Sequence, residues 1–271
     1  MHQLIWDVAE QLGQIDGVVA VVLGGSRARG VASPDSDIDL GIYYDPVAPP
    51  SIVALRTLAQ ALDDRHLPDL ATDYGAWGPW INGGAWLDVN KKRLDWLYRN
   101  LVRVEEEITA CEIGQVRIDY QWGHPHGFYN HIYAGELYYC QPLFERDDRL
   151  QTLKARLVPY PPALKQAIIR TGLMESEFSL ENAHKPARRG DVVHVVGYLY
   201  RITALLTQVL FAVNECYCIN EKGAVLEVDT LPVHPPDYAH RVSQLLGAGG
   251  ELETRLREMA MIVEEVKVLC Q

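Results

Sequence analysis

The sequence contains no pair of cysteines in the C-x-x-C spacing that many zinc and redox sites use. Its cysteines are odd in number and widely scattered, at Cys111, Cys140, Cys216, Cys218 and Cys270. Because a reducing compartment keeps thiols from pairing, we expect buried or inert thiols and no disulfide framework.

Segments that would direct the chain to a membrane are also missing from the sequence. We find no apolar run long enough to span a bilayer. The N-terminal stretch MHQLIWDVAEQLGQIDG has no basic segment followed by an apolar one, which a signal peptide would need. Internal repeats and low-complexity segments are absent as well. These absences predict a globular, cytoplasmic protein with no membrane partner.

Positive charge is in short supply, since the formal net charge is −11 at pH 7. A duplex-DNA binder needs a basic face to displace counterions, so duplex DNA is disfavoured as a partner. An acidic chain is suited instead to recruiting divalent cations or cationic substrates. A tRNA partner would have to rely on the one basic segment HKPARR, at 184–189.

The apolar pattern divides the chain near residue 150 into two different halves. The first half predicts helices and strands in alternation: a helix over 3–14, strands over 18–23 and 36–44, a helix over 50–65, a hairpin turning near Asn90, a helix ending at Gly114 and a strand over 136–144. The second half shows helical periods alone. We therefore predict an α+β fold, with a mixed-sheet domain over 1–150 and an all-helical bundle over 151–271.

Two aspartates stand at the start of the apolar segment DIDLGIYY. Asp37 and Asp39 are two residues apart, so on a strand they project to the same side, about 7 Å apart along the backbone. Two such carboxylates repel each other, and one tends to take a proton. A Mg²⁺ ion offsets this repulsion, and a pair of ions would also support in-line displacement at phosphorus.

A third carboxylate is expected from the hairpin, and the sequence offers two candidates. Asp95 lies between Leu94 and Trp96 in RLDWLYR, so it would face away from a core that its neighbours enter. Asp88, on the first arm of the hairpin, is the alternative. We favour Asp95 because its flanks form the clearer buried strand.

A glycine-rich turn precedes the aspartates and suits a phosphate group. Gly24 and Gly25 follow an apolar strand and would let phosphates approach the backbone, and Ser26 would add a hydroxyl and cap a short helix. Arg27 and Arg29 would either clamp the phosphates or lie on the helix surface. The turn matches neither G-x-x-x-x-G-K-[ST] nor G-x-G-x-x-G.

The combination of GGS, ten intervening residues and DIDL resembles the DNA polymerase β-type nucleotidyltransferase superfamily. The resemblance covers about residues 20–98 and is closest to the minimal bacterial branch. That branch includes the aminoglycoside and lincosamide antibiotic nucleotidyltransferases and the nucleotidyltransferases of certain toxin–antitoxin pairs. The positions that match the family motif in order are Gly25, Ser26, Asp37, Asp39 and Asp95.

The resemblance implies a polymerase-β-like fold and a specific reaction. A nucleoside monophosphate, expected to be AMP from ATP, would pass to a hydroxyl of a small acceptor such as an aminoglycoside or lincosamide, with loss of pyrophosphate. Asp37 and Asp39 would hold Mg²⁺, expected as two ions, and Asp95 would bind the ion nearest the acceptor or take the hydroxyl proton. The alternatives are nucleotidylation of a protein or a tRNA, and a non-catalytic nucleotide-binding regulator of the same fold.

The helical half contributes weaker candidates to a cleft that it is expected to close. Asp191, in ARRGDVVHV, would cap a helix or contact the acceptor. Lys222, in NEKG, would reach a phosphate from a helix end that Gly223 terminates.

Two groups of aromatic and histidine side chains are assigned to packing or pocket lining. Zinc binding is disfavoured in HPHGFYNH because no fourth ligand is evident. Stacking on a base or acceptor is the less favoured role of the tryptophans in GAWGPWINGGAW. The residues concerned are His124, His126, His131, Trp77, Trp80 and Trp86.

Overall fold

A computed structural model describes residues 2–247 and 249–271 of the chain. The helices and strands, in chain order, are α1 His2–Gly13, β1 Val18–Leu23, α2 Gly25–Ala28, β2 Ile38–Tyr44, α3 Ile52–Leu62, β3 Gly84–Val89, β4 Lys92–Asn100, α4 Leu101–Glu112, β5 Ile118–Asp119, β6 Phe128–Tyr129, α5 Ile132–Tyr139, β7 Gln141–Glu145, α6 Arg149–Ala155, α7 Pro162–Arg188, α8 Val192–Val213, α9 Ala224–Val228, α10 Tyr238–Gly247 and α11 Leu252–Leu269. Every described element after β7 is a helix.

The described part of the chain builds a mixed sheet of five strands in the order β3-β4-β2-β1-β7. β1 pairs antiparallel with β2 and with β7, whereas β2 and β4 run parallel. A parallel pair needs a long crossover connection, which α3 and β3 supply here. This sheet, followed by helices, confirms the predicted α+β class.

The predicted hairpin forms from β3 and β4 and turns at Asn90 and Lys91. Both residues have positive φ, of 52° and 62°, as a two-residue type I′ turn requires. The turn fixes the register of the hairpin, so that Trp86 lies opposite Asp95 and Leu87 opposite Leu94.

The two faces of the sheet differ in what they carry, and β2 shows the difference. Ile38, Leu40 and Ile42 are fully buried and belong to the core that α1 and α3 complete on one face. Burying each such side chain stabilises the fold by roughly 1.5–3 kcal/mol. The alternate residues Asp39 and Gly41 are half-buried on the opposite face. The candidate carboxylates therefore lie away from this core.

The chain forms two compact units that interleave in sequence. Unit 1 comprises Met1–Thr109, Asp119–Gly123 and Tyr133–Pro159, and unit 2 comprises Ala110–Ile118, His124–Ile132 and Tyr160–Gln271. The five strands of the mixed sheet lie in unit 1, together with α6. Unit 2 takes two short segments from the first half of the chain.

Helix α8 corrects the expectation that no apolar run is long enough to cross a bilayer. By length and composition α8 passes that test, yet most of it is buried inside the protein. It packs against α7 and α11 and contributes Leu199, Leu206 and Leu210 to the core of unit 2. A helix that is apolar on every side is what a buried central helix requires.

The strand predicted over 136–144 is wrong in position. Residues Ile132–Tyr139 form helix α5, and the strand β7 begins only at Gln141. The first half of α5 is buried on all sides, so it shows no alternation of polar and apolar residues with a helical period. Its tyrosines favour a strand by composition, and burial in the tertiary structure overrides that preference.

Three smaller expectations also fail. Strand β2 begins at Ile38, so Asp37 precedes the strand that was predicted to include it. The N-cap of α2 is Gly24 in an extended conformation, and Ser26 lies inside the helix, because β1 ends one residue before the cap. Gly223 starts α9 as its N-cap, with φ of 78°, and does not end a helix.

Candidate active site

Asp39 and Asp95 lie directly opposite each other on neighbouring parallel strands. The register of β2 and β4 pairs these two residues, and registered residues of adjacent strands project to the same face. Adjacent strands are about 4.8 Å apart, so the two carboxylates are first neighbours across the sheet. Both residues are half-buried, and Oδ1 of Asp95 is inaccessible to solvent. Two negative groups are thus held together on one partly covered surface.

The absence of a side chain at Gly25 leaves the space that the Asp39 carboxylate occupies. A Cβ atom built on Gly25 would overlap Oδ2 of Asp39 and would lie 2.7 Å from its Cγ. Gly25 also has a φ of 58°, where L-residues other than glycine are strained. The neighbouring Gly24 donates its backbone N–H to the carbonyl of Asp39 at 2.8 Å. The glycine turn is therefore shaped around Asp39 and ties α2 to β2.

The arginines of α2 have partners within unit 1. Arg27 donates from Nε to the carbonyl oxygen of Asp37 at 2.9 Å and from its guanidinium to the carbonyl oxygen of Ser36. The guanidinium of Arg29 lies over the ring of Tyr139, with Cζ 5.0 Å from the ring centroid. Arg27 thus holds the loop that delivers Asp37 to the start of β2.

The alternative third acid, Asp88, belongs to a different group of charges. Its Oδ2 is 3.0 Å from Arg65, which also donates hydrogen bonds to the buried carboxylate of Asp63. These hydrogen bonds from Arg65 lower the pKa of Asp63 to about 2. Asp88 lies on the edge strand β3, with β4 between it and β2. Asp95, and not Asp88, is the neighbour of Asp39.

The carboxylates of Asp37, Asp39 and Asp95 fit a Mg²⁺ site in which substrate phosphates supply the remaining ligands. Within residues 2–247 and 249–271, no group of three or more His, Cys, Asp or Glu side chains is arranged to hold a metal ion. Mg²⁺ usually takes one or two carboxylates together with substrate phosphates and water, and it seldom uses an all-protein cage. The pair of Asp39 and Asp95, with Asp37 two residues from Asp39, supplies this kind of donor set.

The two candidates from the helical half lie in unit 2. Asp191 caps α8, because its side chain accepts a hydrogen bond from the backbone N–H of His194 at 3.1 Å. Lys222 is exposed in the turn that precedes α9. Capping accounts for Asp191, and contacts of either residue with a substrate stay predictions.

The histidines of HPHGFYNH have partners of their own in unit 2. Nδ1 of His124 lies 3.1 Å from Oε2 of Glu221, and Nε2 of His131 lies 2.9 Å from Oε1 of Gln208. Burial lowers the pKa of His131 to about 4, so this ring is neutral at physiological pH. These contacts agree with packing roles.

Trp86, which the sequence assigns to packing or pocket lining, lies on the same face of the sheet as Asp95. It lies opposite Asp95 across the hairpin, and 55% of its surface is exposed. Counting outward from the predicted turn at Asn90 would have paired Trp86 with Asp95. The stacking of Trp86 on Trp77 carries no signal in the sequence.

Comparison with known proteins gives one match to a domain family. Residues 5–81, which include the glycine turn, Asp37 and Asp39, match a family model described as "Nucleotidyltransferase domain". A crystal structure of a nucleotidyltransferase-like protein from Exiguobacterium sibiricum is similar, at 13% sequence identity and a TM-score of 0.46, over 100% of this chain and 74% of that one. No curated protein sequence matches the chain significantly. The domain match supports a transferase, with nucleotidyl transfer as the general class of reaction.

Proposed function

We propose that this protein is a Mg²⁺-dependent nucleotidyltransferase that moves AMP from ATP to a hydroxyl of a small acceptor. The observation that carries the proposal is the pair of Asp39 and Asp95 in register on parallel strands, with Gly25 fitted against the Asp39 carboxylate. The domain match over residues 5–81 supports it independently.

In this proposal Asp37 and Asp39 hold Mg²⁺, and Asp95 either binds the ion nearest the acceptor or takes the proton of the acceptor hydroxyl. Bound Mg²⁺ would offset the negative charge on the α-phosphate and on the departing pyrophosphate. Gly25 leaves room for the Asp39 carboxylate and thereby fixes one donor in position. The phosphate contacts that we propose are the glycine turn, Ser26, Arg27 and Arg29, all in unit 1.

The transfer itself is a displacement at the α-phosphorus. The acceptor oxygen bonds to the α-phosphorus as the bond to the pyrophosphate oxygen breaks. If Asp37 and Asp39 alone hold the ions, the hydroxyl proton would pass to Asp95, whose place beside Asp39 would put it at the reacting atoms. Amino-bearing sugars, such as those of aminoglycosides and lincosamides, would suit the acidic character of the chain, and Asp191 is a further proposed contact for them.

The experiment is a label-transfer assay. The protein is incubated with Mg²⁺ and α-labelled ATP, GTP, CTP or UTP, together with kanamycin, lincomycin, tRNA or cell lysate. Pyrophosphate release is measured alongside the transferred label. We expect ATP to be the donor, a small acceptor to take the label, and EDTA to stop the reaction.

The variant Asp39→Asn tests the catalytic assignment directly. Asparagine keeps the size of the side chain and removes the negative charge that a divalent ion needs. We expect pyrophosphate release to fall roughly a thousandfold. The matched control is Asp35→Asn, an exposed acid of the same loop, which should keep parental activity. Turnover of Asp39→Asn at the parental rate would refute the assignment, and label on tRNA or on a lysate protein alone would redirect the acceptor class.

A further inference from the structure

The basic segment at 184–189 belongs to the wall of a cavity in unit 2. The cavity has a volume of about 620 Å³ and is lined by the last turns of α7 and the first turns of α8. Cavities of this size are typical of sites that take a small ligand. Among the side chains that line it are Lys185, Arg188, Arg189, His194 and Tyr198.

Three of these side chains are neighbouring cations at the end of α7. Lys185, Arg188 and Arg189 are all exposed, and within the described residues none of them forms an ion pair with an Asp or Glu side chain. The C-terminal end of a helix attracts cations, which favours their presence at this end of α7. That end carries only roughly half an elementary charge, so it offsets a fraction of the three positive charges. The remaining positive potential suits an anionic ligand.

Two carboxylates, Glu181 and Asp191, also line the cavity. Asp191 accepts a hydrogen bond from the backbone N–H of His194 and thereby caps α8, and its Oδ2 lies 3.7 Å from Nδ1 of His194. Three cations against two acids leave an excess of positive charge, whereas the whole chain has a net charge of −11. The charge of this cavity is thus opposite in sign to that of the molecule.

A stacked pair of rings lies beside the cations. His194 and Tyr198 are one helical turn apart on α8, and their rings are nearly parallel, with 5.0 Å between the centroids and 13° between the planes. Tyr198 is half-buried, whereas 56% of the His194 side chain is exposed. The imidazole therefore offers a flat, supported surface on which a further ring can stack.

We propose that this cavity binds a nucleoside monophosphate, with its phosphate on Arg188 and Arg189 and its base stacked on His194. A guanidinium donates two parallel hydrogen bonds to phosphate oxygens, and Lys185 adds a further positive charge. A longer RNA would extend over a protein of net negative charge, which disfavours it. The proposal goes beyond the proposed function and does not depend on it, since the cavity belongs to unit 2.

An amino sugar is the competing occupant of the cavity. Its protonated amines would be repelled by Lys185, Arg188 and Arg189, although Asp191 would attract them. The contact proposed above between Asp191 and such a sugar and the nucleotide proposed here exclude each other at this cavity. A binding experiment decides between them.

The test measures binding by isothermal titration calorimetry in EDTA, so that no Mg²⁺ assists binding at the carboxylates of unit 1. The probes are AMP, adenosine, inorganic phosphate, single-stranded oligoadenylate and kanamycin. The variants are Arg188→Gln/Arg189→Gln, His194→Ala, Asp191→Asn and Asp39→Asn. The matched control, Arg170→Gln/Arg257→Gln, removes the same charge from exposed arginines of unit 2 that do not line the cavity. Circular dichroism establishes that every variant is folded.

AMP should bind to the parent and, with the same affinity, to Asp39→Asn and to the control. Arg188→Gln/Arg189→Gln should weaken AMP binding about tenfold or more, because hydrogen bonds to a charged phosphate are lost. His194→Ala should weaken AMP binding about fivefold and leave the binding of inorganic phosphate unchanged, since only the stacked ring is lost. Adenosine should bind about tenfold more weakly than AMP.

Equal affinity for adenosine and AMP would overturn the proposal, as would AMP binding that the double arginine variant leaves unchanged. Loss of AMP binding in Asp39→Asn would overturn it too, because the nucleotide would then bind at the carboxylates of unit 1. Binding of oligoadenylate much tighter than that of AMP, through the same arginines, would identify RNA as the occupant. Kanamycin binding that Asp191→Asn weakens would identify the amino sugar. Either of these results would replace the mononucleotide.

Discussion

At the scale of single residues, the candidate site depends on Gly25 having no Cβ atom. The Asp39 carboxylate occupies the volume that a Cβ of Gly25 would need. Any other residue at position 25 must either displace this carboxylate or move the turn, in addition to the strain of its φ of 58°. Position 25 therefore links a backbone requirement to the placement of the Asp39 carboxylate.

Gly25→Ala should reduce pyrophosphate release roughly a hundredfold while the fold persists, because the Asp39 carboxylate loses its place. The matched control is Gly30→Ala. Gly30 has a φ of 74° but has nothing within 4 Å of an added Cβ, so the substitution brings backbone strain alone. Both variants should lose about 1 kcal/mol of unfolding free energy in urea titrations. Equal activity of the two variants would contradict this role of Gly25.

At the scale of elements, helix α5 covers one end of the sheet face that carries Asp39 and Asp95. Arg99 lies four residues after Asp95 on β4, on the same face, and it is buried. It forms a bidentate ion pair with Glu136 of α5, with both N–O distances at 2.7 Å. Arg99 also donates to the carbonyls of Ile81 and Tyr98. Helix α5 thus covers this face at Arg99, four residues along β4 from the half-buried Asp95.

Glu136→Gln should lower the free energy of unfolding by about 2 kcal/mol, because the buried guanidinium of Arg99 would lose its counter-charge. Urea titration followed by tryptophan fluorescence measures this change. Glu106→Gln, an exposed acid on α4, is the control and should change stability by less than about 0.5 kcal/mol. A Glu136→Gln variant as stable as the parent would show that α5 is held by apolar packing alone.

At the scale of the whole molecule, the reactivity of the cysteines reports whether the cores of both units stay closed. None of the five cysteines, all of which lie in the described residues, forms a disulfide. Cys111, Cys140 and Cys218 are buried, and burial raises the pKa of Cys140 to about 11. The burial of these three thiols agrees with the expectation of buried or inert thiols.

A thiol reagent such as DTNB at pH 8 should therefore react with five cysteines in guanidinium chloride and with at most two, Cys216 and Cys270, in the native protein. A reductant should leave the melting temperature unchanged. Rapid labelling of more than two thiols in the native state would show that one of the cores opens readily.

The sequence by itself determined the features that depend on neighbours along the chain. Strand β1, helix α1, the hairpin turn at Asn90 and the order of glycine turn, Asp37 and Asp39 all follow from periodicity and local backbone preference. The preference for Asp95 over Asp88 does not follow from neighbours alone, because Asp88 also lies between apolar residues, Leu87 and Val89. The resemblance over residues 20–98 rested on the same local spacing.

The tertiary structure alone decided what depends on contacts between distant segments. The parallel pairing of β2 with β4 brings Asp39 beside Asp95, and the stacking of Trp77 holds Trp86. Helix α5 and the N-cap at Gly24 escaped prediction because burial and the immediate end of β1 override local composition. Contacts between distant segments produce no periodic pattern in the sequence. The strand pairing, the tryptophan stacking, helix α5 and the N-cap at Gly24 are therefore evident only in the tertiary structure.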